Sequence, residues 1–235
     1  FKEPEGIIYN GGAFLYALCG YIFGFIGLFN VNIYINFLSS LLLAHAMIIA
    51  AYLVHECGHN LVFKKIRFNT HLGRFLSWIC GSSYGTYEDM RYKHFRHHVD
   101  NDDVVWFDYE AFFKGNPKIF KLTKILEWFY IPAHEFIMHF IMMFSSFIIP
   151  QRRNQRSRNI AVIIIRFSLF VLLMIFFPKV AIFYTFSYIL LLTVLRFMDS
   201  IQHDYGYNLT LFSSKTPPRK GQYIWEQEHT FSNPH

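Results

Sequence analysis

Residues 33–59 read IYINFLSSLLLAHAMIIAAYLVHECGH. From Ile33 to Val54 the only side chain able to carry charge near neutral pH is His45, and a bilayer crossing needs about 20 such apolar residues. The run ends directly on His55-Glu56-Cys57-Gly58-His59. In a helix, residues spaced i and i+4 share a face, so this stretch predicts a membrane span that delivers two imidazoles to one membrane boundary. Upstream, Ile7 to Phe29 carries no charge and is separated from the first run only by Asn30-Val31-Asn32. So short a connection makes the two spans an antiparallel hairpin. A second hairpin is predicted from Ile160 to Phe177, with a turn at Pro178-Lys179 and a return from Val180 to about Leu195. Arg166 and Arg196 are expected near its open end, where long side chains can snorkel to the headgroups.

The composition agrees. Of 235 residues, 53% are hydrophobic, 20% aromatic and 16% charged, against roughly a quarter charged in soluble domains. A disordered chain is excluded and an ordinary soluble enzyme disfavoured. Cys19, Cys57 and Cys80 are too few and too scattered for a disulfide scaffold. The expected fold is all-α and integral to the membrane, one domain over residues 1–235. Four transmembrane helices (about 7–29, 33–54, 160–177 and 180–195) form two hairpins, with a histidine-rich cap and interfacial helices on one side.

Charge sets the orientation. Of 22 Lys and Arg residues, only Lys179 falls in either tight turn, so the opposite face, holding both termini, is expected to be cytoplasmic. Leu122 to Ile149 is apolar and long enough to span, but crossing there would place the basic cluster of residues 151–158 outside. It is therefore read as interfacial or buried against the bundle. The net charge of +6 follows from this bias and from attraction to anionic headgroups, with no nucleic acid required.

The chain holds 12 histidines. Besides His55 and His59, the stretch His94-Phe95-Arg96-His97-His98 places three imidazoles on overlapping helix faces. Five histidines in two tight clusters are costly to bury unpaired, and imidazole is the commonest metal ligand. His45, His134 and His139 read instead as hydrogen-bonded packing residues and His71 as solvated or interfacial. The 55–59 stretch also matches the H-E-x-x-H pattern of zinc peptidases, with Glu56 as general base. A single zinc needs only three protein ligands, whereas the surplus of histidines suits two metal ions, and imidazole suits iron among others.

These residues resemble the membrane fatty-acid desaturase family of di-iron enzymes. The resemblance rests on the H-x-x-x-H box at 55–59 after a transmembrane hairpin, the H-x-x-H-H box at 94–98, the second hairpin, and Asp199-Ser200-Ile201-Gln202-His203 after the last span. It implies His55, His59, His94, His97, His98 and His203 as ligands of two iron ions. It also implies an oxygen-dependent reaction that leaves a double bond in an acyl chain. Electrons would come from an external carrier such as ferredoxin or cytochrome b5 with its reductase. Glu56 is a candidate to support a ligand or relay protons. Asp102 or Asp103 either accepts a ligand imidazole's N–H or belongs to a solvated acidic turn. The family's third box, near its C-terminus, has no counterpart here. His229 and His235 do not fit its spacing, so the expectation is a chain cut short at His235, with further ligands beyond it.

Three other readings use some of the same residues. Membrane hydroxylases and ketolases of alkanes, sterols or carotenoids share the scaffold and the histidine pattern. An intramembrane zinc peptidase would use Glu56 and an acid such as Asp199, leaving the second histidine box without a role. A non-catalytic metal carrier would place its ligands near the membrane midplane, whereas all but His45 lie at or outside the boundary.

Overall fold

The structure is a computed structural model. It describes residues 1–81, 84–100, 103–105, 108–202 and 208–210, without the side chains of 97–100, 103–105, 151, 199–202 and 208–210. The fold is all-α. Four helices are long and apolar enough to cross a membrane: Gly6–Gly27, Ile33–Gly58, Arg152–Phe176 and Pro178–Met198. They form the two expected hairpins. Helices α1 (Gly6–Gly27) and α2 (Ile33–Gly58) make the first, and α8 (Arg156–Phe176) and α9 (Pro178–Gln202) the second.

Small residues let α1 approach α2 closely. A Cβ at Gly24 would lie 2.9 Å from the backbone nitrogen of Leu43, and one at Gly20 would lie 3.0 Å from Ala46 Cβ. Asn36, fully buried, closes the hairpin tip. Its Nδ2 donates to the carbonyls of Leu28 (2.8 Å), Asn30 (3.0 Å) and Gly27 (3.2 Å), at and just past the end of α1. Lys179 at the other tip donates to Asn30 O at 2.6 Å. Both tips therefore lie on the same side. Helix α2 also packs along α9, where Leu28, Leu43, Met47, Val180 and Leu191 form one core cluster and Ser187 Oγ donates to Ser40 O at 2.9 Å.

The observed α2 runs to Gly58 rather than ending at Val54. Hydropathy falls at His55, but the helix continues until a left-handed residue stops it. Asn60 has φ 56°; its N–H bonds Cys57 O at 3.1 Å and that of Leu61 bonds Glu56 O at 3.0 Å. Two such bonds around a left-handed residue satisfy the last carbonyls of a helix. The same arrangement breaks the long apolar stretch between Leu122 and Ile149. Tyr130 has φ 59°, Ile131 N–H reaches Leu126 O at 3.1 Å, and Pro132 follows. The result is two shorter helices, α6 (Pro117–Trp128) and α7 (Ala133–Ile148), preceded by α5 (Tyr109–Gly115). The 16 residues of α7 reach about 24 Å, short of the roughly 30 Å hydrocarbon core. A 3-10 turn, Pro150–Gln155, leads into α8.

Helix α3 (Ile66–Ile79) wedges against α1 and α2. Leu76 and Ile79 join Ala17, Ala50, Leu53, Val54 and Cys57 in a second core cluster. Buried Asn69 clamps the preceding loop, accepting from Phe63 N–H at 3.0 Å and donating to Phe63 O at 2.8 Å. After α3 the chain turns at Gly81, with φ 82° and no room for a Cβ beside the Tyr188 ring, and enters α4 (Tyr87–Asp100). Two three-residue strands, β1 (Asp103–Val105) and β2 (Asn208–Thr210), pair in parallel. They bring the chain following α4 alongside the chain following α9.

Arg166 departs from expectation. Because α8 begins at Arg156, a turn before Ile160, Arg166 lies ten residues from either end of the helix and does not snorkel at the open end. Its Nη2 donates to Trp78 O at 2.8 Å.

Candidate metal centre

Helix α2 delivers His55 and His59 from its last turn, and α4 brings His94 across to meet them. Three ring nitrogens converge. His59 Nε2 lies 3.2 Å from His55 Nε2 and 2.7 Å from His94 Nε2, and the ring centroids are 4.4 to 4.5 Å apart pairwise. His59 is buried, His94 half-buried and His55 exposed, so the group faces outward from the core cluster beneath it.

A ring nitrogen has one in-plane direction, whether it carries a proton or a lone pair. His59 Nε2 cannot hydrogen-bond both neighbours at once, whereas a cation accepts lone pairs from all three. Two imidazole nitrogens held side by side on one metal at about 2.1 Å are about 3 Å apart, which the observed spacings bracket. The donor set therefore fits a transition-metal ion. Among the described residues it is the only group of three or more His, Cys, Asp or Glu with this convergence. Glu56 Oε1 lies 3.4 Å from His55 Nδ1, where a carboxylate holds the distal N–H of a ligating imidazole and leaves Nε2 for the metal.

The position of α4 is fixed by groups that sequence reading missed. Thr86 caps it, its Oγ1 accepting from Asp89 N–H at 3.0 Å. Tyr87 packs so closely on Gly73 of α3 that no Cβ fits there. Asp89 Oδ2 accepts from Gln155 Nε2 at 2.6 Å and pairs with buried Arg152 Nη2 at 3.2 Å. Arg158 Nη2 donates to Gly85 O at 3.3 Å, and Arg74 pairs with Glu88. The acidic first turn, Glu88-Asp89, five or six residues before the second box, was the available signal: carboxylates at a helix N-terminus that also face a basic cluster.

A second network holds α9. Arg196 pairs with Glu127 at 3.1 Å and Glu135 at 3.4 Å, joining it to α6 and α7. Burial alone would push the Glu135 carboxyl up. A hydrogen bond with His134 and the charges of His139, His134 and Arg196 outweigh it and hold the group at about 2. His134 and His139 stay local: His134 N–H reaches Glu127 Oε1 at 3.1 Å and His139 Nδ1 reaches Glu135 O at 2.8 Å. His45 bonds Tyr16 Oη at 2.7 Å, and His71 is exposed.

His97 and His98 lie on α4, one turn beyond His94, with their side chains outside the described residues. Asp102 and His203 lie outside them entirely, as do the side chains of Asp103 and Asp199. The convergence is thus described for three of the six expected ligands.

No curated protein and no solved structure matches this chain. The model of one family, Fatty acid desaturase, matches residues 32–234. That match takes in α2, both histidine boxes and the second hairpin, and with the bundle and its converging histidines it establishes that the chain belongs to the fatty acid desaturase family.

Proposed function

We propose that this protein is an oxygen-dependent acyl-lipid desaturase, with His55, His59, His94, His97, His98 and His203 holding two iron ions. Membership makes it an oxidoreductase of a membrane family with iron-dependent catalysis. The observation that carries the finer reading is the meeting of three Nε2 atoms at the end of a transmembrane helix. His97 and His98 follow His94 on the same helix, and the β1–β2 pairing draws the chain after α9 toward the end of α4, which favours His203 as a partner in the same centre.

Iron bound there would let dioxygen, with two electrons from the carrier, take a hydrogen pair from an unactivated chain and leave as water. The protein's own work is positional. Core residues Val54 and Cys57 seat the end of α2, and Asp89 ties α4 to Arg152 and Gln155 in the 3-10 turn before α8. Glu56 orients His55 through Nδ1. The site stands at a membrane boundary, where an acyl chain arrives from the apolar side and an electron carrier from the aqueous side. That boundary is proposed to be cytoplasmic, because the Lys and Arg residues gather there and only Lys179 lies in a hairpin turn.

The test is elemental analysis of the purified full-length protein together with mass spectrometry of membrane lipids from cells expressing it. About two irons per chain, lost on His59→Ala, with new unsaturated acyl chains, is the expected result. Zinc without iron would overturn the iron reading, and hydroxylated chains without new double bonds would replace desaturation with hydroxylation.

A further inference from the structure

We propose that a cleft between α1, α7, α8 and α9 binds a long-chain carboxylate, with its head on Arg166. The inference is independent of the metal centre, because none of His55, His59 or His94 lines the cleft.

Arg166 lies ten residues from either end of α8, about 15 Å along the axis and thus near the centre of the roughly 30 Å hydrocarbon core. A guanidinium there is costly and is retained where it faces a protein interior or a polar partner. Its Nη2 donates to Trp78 O at 2.8 Å, and its central carbon stands 5.0 Å from the Trp78 ring centroid and 5.8 Å from that of Tyr84. Nε is buried without a hydrogen-bond partner. Among the described residues no carboxylate pairs with Arg166. Of five N–H donors, Nε is thus open, and among the described residues the positive charge has no counter-ion.

Arg166 lines a cleft of about 790 Å³, within the roughly 300–1,000 Å³ of ordinary ligand sites. Tyr84, Tyr184 and Tyr188 share its lining and bring hydroxyls to the same apolar space. Beyond them the walls are Phe25, Phe29, Leu169, Leu173, Phe176 and Phe177, which continue along α8 toward the hairpin tips. Phe176 and Phe177 are 67% and 50% exposed, so the cleft opens on the lipid side of the bundle.

The occupant must therefore join one negative charge to an apolar chain and reach its place through the bilayer. A guanidinium fork matches a carboxylate with two parallel hydrogen bonds. The phosphate of a membrane lipid stays at headgroup level, about 15 Å from Arg166. A single-chain fatty acid can place its carboxylate at the centre and its chain toward Phe29 and Phe177.

The test measures binding of a long-chain fatty acid and of its methyl ester to the purified full chain in nanodiscs of neutral phosphatidylcholine. The acid is expected to bind about ten- to a hundredfold more tightly, the worth of a charge-assisted pair. Arg166→Gln is expected to abolish the difference, Arg166→Lys to keep part of it, and Leu173→Trp to weaken both ligands by filling the cleft. Equal binding of acid and ester to the unaltered protein would overturn the proposal, as would a preference surviving in Arg166→Gln. Should Arg166→Gln fail to fold, a diazirine-bearing fatty acid settles the matter. Labelling within Leu169–Phe177 or Phe25–Phe29 supports the site, and labelling confined elsewhere refutes it. Stronger displacement by phosphatidylglycerol than by a second free acid would assign Arg166 to a lipid phosphate and overturn the carboxylate.

Discussion

His94 lies 35 residues beyond His59 in the chain, yet its Nε2 stands 2.7 Å from that of His59. Two helices separated in the chain by α3 thus share one point in space. Replacing either imidazole by Gln keeps much of the volume and removes the nitrogen donor. His59→Gln or His94→Gln is expected to weaken iron binding by more than about tenfold while the helical content by circular dichroism stays the same. Unchanged iron retention under chelator competition in both variants would exclude these residues as ligands.

In the proposed centre Glu56 would act at one remove. With its carboxylate 3.4 Å from His55 Nδ1, Glu56→Ala is expected to lower iron affinity by about ten- to a hundredfold. Glu56→Gln retains an acceptor oxygen and should recover most of that loss. A general base in a zinc peptidase would show the opposite pattern, with Glu56→Gln abolishing turnover while metal binding stays intact.

The clamp on α4 should be measurable as stability. Removing one partner of a fully buried ion pair costs about 3–5 kcal/mol. Asp89 is 21% exposed against 2% for Arg152, and Gln155 Oε1 still accepts from Arg152 at 2.9 Å. Asp89→Ala is therefore expected to cost about 2 kcal/mol, read as a lowered thermal midpoint in detergent, with weaker iron retention because His94 rides on the same helix. An unaltered midpoint would mean that the clamp contributes nothing.

Acid should release the network at α9. Glu135 is held at about 2, against an ordinary 4.5. A depressed carboxyl contributes stability that is fully present above its unfolded value and is lost as pH falls through the folded one. The stability gap between the native protein and Glu135→Gln is thus expected to shrink as pH falls from about 4.5 to about 2. A gap independent of pH over that window would show that the charge of Glu135 is not what matters.

Gly24 tests the first hairpin apart from the histidines. A Cβ there meets Leu43 backbone atoms at 2.9 to 3.0 Å, which rotamer changes cannot relieve. Gly24→Val is expected to cost about 1–3 kcal/mol through overpacking, with iron binding per folded chain preserved. A neutral Gly24→Val in thermal unfolding would count against close α1–α2 packing.

Both hairpins were legible because uncharged runs near 20 residues have few alternatives to a membrane. Their ends were less so. Hydropathy stops at Val54, but the hydrogen-bond ladder stops only at Asn60, and the difference places His55 on the helix. Arg166 was misplaced for the same reason: the apolar run begins at Ile160, while α8 begins at Arg156, a full turn earlier. The three converging histidines were visible as i, i+4 spacing and as a second box. Nothing in the spacing revealed that α3 packs against α1 and α2 or that Asp89 meets Arg152 across 63 positions. Such contacts arise only when separate elements pack. The break at Tyr130 could be read only in part: Pro132 is a visible stop, but a tyrosine in the left-handed region is not a sequence signal.

The order of residues along the chain gives the α4 clamp a meaning for biogenesis. His55, His59 and His94 all leave the ribosome before α8 and α9 have been made, whereas Arg152 and Gln155 arrive just ahead of the second hairpin. Domains form N-terminus first during synthesis. The three imidazoles can therefore gather while α4 is still loosely tethered, and the later arrival of Arg152 turns that provisional nest into a rigid one. Synthesis of about 60 residues separates His94 from Arg152, so the clamp on α4 closes after the first two boxes have been made and before His203 has.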